Sequence, residues 1–279
     1  MHYQHRFHAG NFADVFKHVL VLALLRALSA KDKPWCYADT HAGAGDYDLG
    51  DAGARRTAEF ADGIGRIWDS TDAPFAVADY LAQVRRLNPD GALRRYPGSP
   101  RLAEQAARAQ DRLLLCERVP AVAEQLRGAL GSDPRVHLHR RDGYELAALL
   151  PPAEKRGLVL VDPPFERADE FDVLADFLAQ GLRRFGSGVF ALWYPDKQRH
   201  ATERWRRRVR GECPREVLDL QLAVSHPADG EMRACGLLVV NPPYAAQAPI
   251  AEALAWLAPR LAQGDGAGHA AQRWPAGTS

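Results

Sequence analysis

Residues 157–165 read Gly-Leu-Val-Leu-Val-Asp-Pro-Pro-Phe, an apolar run that stops abruptly at a carboxylate and two prolines. Five apolar residues in succession, with no polar alternation, suit a strand buried on both faces. Asp162 then falls at a strand's carboxyl end, where open α/β sheets bind ligands. Proline fixes φ and carries no N–H, so two in a row force the chain off the sheet in a rigid shape. The carbonyls of Asp162 and Pro163 are left free of the strand ladder, and Phe165 adds a flat aromatic face. An acceptor pair beside an aromatic platform suits the edge and face of a nucleobase with an exocyclic amine. The competing reading is a plain Pro-Pro turn with Phe165 in the core.

Apolar runs of strand length recur at 35–39, 112–117, 135–140, 158–162, 189–194, 217–224 and 236–241. Helical spacing of apolar residues lies between most of them, at 11–30, 100–109, 120–130, 143–149, 169–185, 198–210 and 249–261. Strands alternating with helices predict a doubly wound, Rossmann-like α/β sheet of seven strands, mostly parallel. The last two strands are joined by residues 225–233, too few for a helical crossover, so they are expected to be antiparallel. One interval, 47–97, has helical periodicity and no convincing strand, and it reads as a small helical insertion. The main domain is then 1–46 plus 98–263, and the Gly-, Ala- and polar-rich stretch 264–279 reads as a flexible tail.

Composition narrows the function classes. The chain has 279 residues, 47% hydrophobic and 25% charged, with a net charge of +1, as in ordinary globular proteins. No stretch approaches the ~18–20 unbroken apolar residues of a membrane span, and the polar start Met-His-Tyr-Gln-His-Arg-Phe-His lacks the apolar core of a signal peptide. The four cysteines, Cys36, Cys116, Cys213 and Cys235, form no CxxC pair and read as reduced thiols. A cytoplasmic location is expected. Ten histidines are present, but no HExxH or facial-triad spacing appears, so no metal site is expected.

Three further strand ends carry acids. The first strand runs into Asp39-Thr-His-Ala-Gly-Ala-Gly45, the second ends at Glu117, and the third is followed by Arg141-Asp142-Gly143. Small residues after Asp39 let a ligand approach the backbone closely. The Gly43 loop is neither a dinucleotide fingerprint, since Asp48 stands where the third glycine belongs, nor a P-loop. Glu117 occupies the position that grips ribose hydroxyls, and Asp142 can accept from an adenine amine. Helix capping explains one or two of these acids. Four acids at four successive strand ends, with no phosphate loop, favour a ligand with ribose, adenine and a positive centre. S-adenosylmethionine is such a ligand.

Asp162-Pro-Pro-Phe165 resembles the [Asp/Asn/Ser]-Pro-Pro-[Tyr/Phe/Trp] signature of S-adenosylmethionine-dependent methyltransferases acting on exocyclic amines. The segments His5-Arg-Phe-His-Ala-Gly-Asn11, Asp14-Val-Phe-Lys-His18, Asp39-Thr-His-Ala-Gly-Ala-Gly45, Tyr96-Pro-Gly-Ser-Pro100 and Ala191-Leu-Trp-Tyr-Pro195 are similar to the ribosomal RNA large subunit methyltransferase J family. The resemblance covers nearly the whole chain. It implies a class I methyltransferase fold and N6-methylation of an adenine in 23S rRNA. It also implies cofactor contacts at His18, His41, Ser99, Glu117, Asp142, Gly143 and Asp162, with Asp162, Pro163 and Phe165 at the reacting base. The family motif often has Tyr where Phe165 stands, so stacking is retained and a hydroxyl is not. A second motif, Asn241-Pro-Pro-Tyr244, follows the last strand. Its place on the antiparallel side of the sheet assigns it a structural turn.

Basic residues supply candidate RNA contacts. Arginines cluster at 85–86, 94–95, 140–141, 183–184 and above all 199–210, where Trp205 stands among four arginines. Basic and aromatic groups together suit phosphates and unstacked bases, and a solvated helix face with Trp205 turned inward is the alternative. Lys17, Arg204, Arg207 and Arg208 are the RNA contacts expected. The partner is expected to be 23S rRNA, protein-free or partly assembled, bound by a monomer. The rival functions are a DNA adenine methyltransferase, a glutamine-amide methyltransferase centred on Asn241, and a catalytically silent RNA-binding protein.

Overall fold

The computed structural model describes residues 7–227 and 231–277. The polar start at 1–6, with His5 of the amino-terminal block, lies outside the described residues, as do 228–230 of the short turn and 278–279. In chain order the elements are α1 (Phe12–Ser29), β1 (Cys36–Asp39), β2 (Asp46–Asp48), α2 (Ala52–Thr57), α3 (Ile64–Ile67), α4 (Phe75–Arg86), β3 (Arg95–Pro97), α5 (Ser99–Ala106), β4 (Arg112–Cys116), α6 (Pro120–Leu130), β5 (Val136–His139), β6 (Gly157–Val161), α7 (Glu170–Arg184), β7 (Val189–Pro195), α8 (Arg199–Glu212), β8 (Val217–Ala223), β9 (Ala234–Val240), α9 (Tyr244–Leu261) and β10 (Gly268–Trp274). Short 3-10 turns cover Glu59–Asp62 and Gly143–Leu149.

One eight-stranded sheet, ordered β10-β8-β9-β7-β6-β1-β4-β5, carries the fold. From β7 to β5 the pairs are parallel, and β9 pairs antiparallel with both β7 and β8. β6 is buried along its whole length, and its alternation feeds two cores. Leu158 and Leu160 join the layer of α1, α4, α5 and α9, while Val159 and Val161 join that of α7 and α8. The four cysteines are buried, Cys235 in the first layer and the other three in the second. Helix α1 is buried on nearly every side, because it lies between the sheet and α4, α5 and α9. No helix among the described residues is long and apolar enough to cross a membrane.

Two expectations require correction. The stretch expected as a flexible tail contains β10, which pairs antiparallel with β8 over Gly268–Trp274 and makes the eighth strand. Its sequence, Gly-His-Ala-Ala-Gln-Arg-Trp, hid it. An edge strand is held by backbone pairing and needs little apolar content, and here only Trp274 is fully buried. The interval 47–97 also contains two short strand segments, since β2 pairs antiparallel with β3. That pair zips the two ends of the interval together, and Gly98 N–H donates to the Gly45 carbonyl at its base. Ile64, Ile67, Trp68, Val77, Tyr80, Leu81, Val84 and Tyr96 from the interval join the same core as α1.

Because β9 runs antiparallel to β7, Asn241 at its end lies beside the start of β7, at the opposite end of the strands from Asp162. It sits in the left-handed region at φ 55°, and its amide donates to the carbonyls of Gly186 and Gly188 at the start of β7. Pro243 then caps α9, and Tyr244 is 89% exposed. This motif fastens a turn.

Candidate active site

The parallel register brings the strand ends together. Thr40 N–H donates to the Leu160 carbonyl, Ala42 N–H to that of Cys116, and Glu117 N–H to that of His139. The loops after β1, β4, β5 and β6 therefore converge on one crevice. Asp39 is wholly buried. Its Oδ2 accepts from the Tyr37 hydroxyl at 2.6 Å and the Ser99 hydroxyl at 2.7 Å, and its Oδ1 from His41 N–H at 3.1 Å. Burial pushes its carboxyl up to about 6, against the opposing pull of the two hydroxyls. Asp39 thus organises the loop and holds Ser99.

His41 packs edge-on against Tyr144 at 5.4 Å between centroids, with Nδ1 2.7 Å from the Thr40 hydroxyl. Burial lowers its pKa to about 4, with Asp162 and Asp142 acting against the shift, so the ring is neutral at pH 7. Glu117 accepts from Gly43 N–H at 3.1 Å and Val119 N–H at 2.7 Å, which pins the glycine loop to the end of β4. Asp142 caps the next turn by accepting from Tyr144 N–H at 3.0 Å. At Gly143 a Cβ would meet the Thr40 carbonyl oxygen at 2.0 Å, so only glycine fits where the two loops touch.

Lys17, expected among the RNA contacts, is a buried cation. It projects from α1, is 4% exposed, and places Nζ 2.5 Å from Asp162 Oδ2 and 2.9 Å from Asp14 Oδ1. Burial alone would depress its pKa, but the two carboxylates outweigh that and hold it well above the ordinary lysine value. No RNA phosphate reaches this ammonium without breaking the pairs. The available signal was a lysine inside the apolar run Val15-Phe16-Lys17-His18-Val19, since buried lysines are rare unless paired. The start of α1 is fixed around it: Asn11 accepts from Asp14 N–H at 2.9 Å, and Asp14 Oδ2 accepts from Gly10 N–H at 3.0 Å. His18 lies behind Asp14, 1% exposed, with Nδ1 2.8 Å from the Tyr96 hydroxyl.

Asp162 Oδ1 accepts no hydrogen bond from the described residues. Beside it the chain turns through Pro163 and Pro164 to Phe165, which sits at φ 51°. Phe165 is half-buried, 5.1 Å from Phe171 and 5.8 Å edge-on to Trp193. Trp193, from the end of β7, also has the Lys17 ammonium 6.0 Å from its ring centroid. Asp162, Lys17, Phe165 and Trp193 lie together, with one carboxylate oxygen open beside the aromatic rings. Trp193 had not been singled out as a site residue, although it is an aromatic at the end of the neighbouring strand.

The arginine helix divides. Trp205 is buried against Tyr194 and Phe171, so of the two readings of this run the inward-turned tryptophan is the one the structure shows. Arg206 pairs with Asp219, and Arg199 with Glu203. Arg208 is committed to Asp172, Asp176 and Glu212, so its reading as an RNA contact is corrected: its donors tie α8 to α7. Arg204 and Arg207 remain exposed, without an ion pair among the described residues.

A mostly parallel sheet with β9 inserted antiparallel between β7 and β8, and with acids at the ends of β1, β4, β5 and β6, is a Rossmann-like α/β fold with its polar side chains gathered at the carboxyl ends of the strands. A family model described as ribosomal RNA large subunit methyltransferase D, RlmJ, matches residues 32–276, and the chain belongs to that family. It is 40% identical over 274 residues to ribosomal RNA large subunit methyltransferase J of Escherichia coli (strain K12), covering 98% of both chains. It is also 40% identical over 262 residues to the protein of that name from Haemophilus influenzae (strain ATCC 51907 / DSM 11121 / KW20 / Rd), covering 93% of both. A crystal structure of a protein from Legionella pneumophila str. Philadelphia 1 superposes with a TM-score of 0.88 at 34% identity, over 98% of this chain and 99% of that one.

Proposed function

We propose that this protein methylates N6 of one adenine in 23S ribosomal RNA, with Asp162 as acceptor for the amine. The observation that carries the reading is the Lys17–Asp162 pair, which leaves one carboxylate oxygen open between aromatic side chains. The relatives' names supply the ribosomal RNA substrate class.

The crevice fits the cofactor. The absence of a side chain at Gly143 lets the loops after β1 and β5 touch, which brings the carboxylates of Glu117 and Asp142 to one side of the sheet, where they suit ribose hydroxyls and an adenine amine. His18, His41, Ser99 and Asp162 complete the proposed contacts. When bound, S-adenosylmethionine supplies a sulfonium methyl, which is already an electrophile.

The protein's own task is positioning and electrostatics. Adenine N6 is a poor nucleophile because its lone pair is delocalised into the ring. Hydrogen bonds from N6–H to Asp162 Oδ1 and the Pro163 carbonyl favour a pyramidal nitrogen. Lys17 holds the other carboxylate oxygen, so Asp162 keeps one orientation. Transfer would form the C–N bond as the methyl's bond to sulfur breaks, leaving a neutral thioether and a cationic, acidic nitrogen, so that a carboxylate as weakly basic as Asp162 suffices to take its proton. To reach Asp162 the base must leave its stack, at a cost of a few kcal/mol that is least in loops and single strands. Stacking on Phe165 returns ~1–3 kcal/mol of that. Exposed Arg204 and Arg207 are the proposed phosphate contacts, and the interval 47–97 is proposed as a subdomain built onto the catalytic domain.

The test offers labelled S-adenosylmethionine with protein-free rRNA, ribosomes, DNA and peptides in parallel. Label in N6-methyladenine of rRNA, lost in Asp162→Ala while cofactor binding persists, supports the reading. Label in DNA or a glutamine amide, or undiminished turnover by Asp162→Ala, overturns it.

A further inference from the structure

A chain of buried polar groups runs from the inserted interval to the catalytic carboxylate. Tyr80 of α4 and Tyr96 of β3 are both fully buried, and their hydroxyls lie 2.9 Å apart. The Tyr96 hydroxyl is 2.8 Å from His18 Nδ1, and His18 Nε2 is 4.0 Å from Asp14 Oδ1. That same Asp14 oxygen is 2.9 Å from Lys17 Nζ, which holds Asp162. The interval reaches the start of α1 by a second route: Glu59 accepts from the Asn11 amide at 2.9 Å and contacts His8 Nδ1 at 2.8 Å. Asn11 in turn caps Asp14.

We propose that Tyr96, backed by Tyr80, is a positioning residue for methyl transfer: it fixes His18, and through Asp14 the Lys17 ammonium that orients Asp162. The inference rests on the reading of Asp162 given above.

The direction of the chain is favoured by the electrostatics at a neutral His18. Burial raises both phenols well above the ordinary tyrosine value, so both keep their protons. If Tyr80 donates to Tyr96 and Tyr96 donates to His18 Nδ1, the imidazole carries its hydrogen on Nε2, facing the Asp14 carboxylate. The reverse order would turn a bare nitrogen lone pair toward that carboxylate, which is repulsive. The Nε2–H tautomer is therefore favoured by attraction across 4.0 Å in a buried, low-dielectric setting. Asp14 is shared between His18 and Lys17. Loss of the tyrosine hydroxyl therefore lets Asp14 and Lys17 relax together, and Asp162 with them.

The experiment is single-turnover methyl transfer by the full chain, at saturating S-adenosylmethionine and rRNA, so that altered binding does not enter. Tyr96→Phe is expected to slow the step about ten-fold, a barrier change of about 1.4 kcal/mol. Tyr80→Phe should slow it several-fold, and the double variant should be no slower than Tyr96→Phe, because both act through one chain. Nitrogen chemical shifts of His18 should report the Nε2–H tautomer in the parent and a mixture in Tyr96→Phe, which simple loosening of packing would not produce. A Tyr96→Phe variant at the parent rate, or losses that multiply in the double variant, overturns the proposal. If Tyr96→Phe does not fold, Tyr80→Phe decides by the same rate criterion. Asp162→Asn run alongside separates the levels. If it is inactive while both tyrosine variants are unimpaired, only the chain is refuted; if it is fully active, the catalytic reading falls too.

Discussion

The Lys17 ammonium lies 2.5 Å from the Asp162 carboxylate across 145 positions of sequence. One residue comes from the second turn of the first helix and is buried, and the other follows the sixth strand and is partly exposed. Their meeting turns a strand-terminal acid into a fixed acceptor with one oxygen engaged and one open.

Removing the lysine should therefore cost both fold and function. In Lys17→Met, Asp14 and Asp162 face each other without a cation, and breaking a buried pair in this way costs about 3–5 kcal/mol. Urea denaturation should show that loss, and methyl incorporation into rRNA should fall below detection. Lys17→Arg keeps the charge but not the compact ammonium, and should keep more stability than activity.

Asp39 makes a prediction about pH. Its folded pKa of about 6 lies above the ordinary 3.8, so the fold favours its protonated form. Its stabilising contribution is complete below about pH 4 and disappears as pH rises through 6. At neutral pH the deficit is on the order of 3 kcal/mol. Comparing the melting of the parent with Asp39→Asn from pH 4 to 7 should show the parent losing ground across that window. A constant difference would contradict the assignment.

The contact at Gly143 is tested by Gly143→Ala. A methyl group there meets a backbone oxygen, so the Thr40 and Gly143 loops must separate. Cofactor affinity measured by calorimetry should weaken at least about ten-fold, equivalent to 1.4 kcal/mol.

Two neighbouring arginines on α8 should behave differently. Arg204→Ala, with its exposed side chain, should weaken rRNA binding and reduce the salt dependence by about one phosphate contact. Arg208→Ala should leave RNA affinity unchanged and lower stability by no more than about 1 kcal/mol, since its partners are largely exposed. Filter binding at several salt concentrations distinguishes them.

The edge strand is the fifth test. Trp274 is 4% exposed, and Trp274→Ala should destabilise by about 3–5 kcal/mol, as for other large buried aromatics. A frayed tail would give no change in the denaturation midpoint.

Most of the secondary structure was legible because it is local. The apolar run of β6, the alternation of strands and helices and the short connection between β8 and β9 carry their meaning in neighbouring residues, and α6 runs over Pro120–Leu130 as its periodicity predicts. The acids closing β1, β4 and β6 were legible for the same reason, because a strand end is a local event. What tertiary structure decided was which partner each polar side chain met. Lys17 reads as an RNA contact until Asp14 and Asp162 enclose it. Trp205 reads equally as a base platform or a core residue until Phe171 and Tyr194 cover it, and β10 reads as a tail until β8 offers it a backbone to pair with. Those outcomes depend on distances between residues far apart in the chain, which periodicity cannot encode.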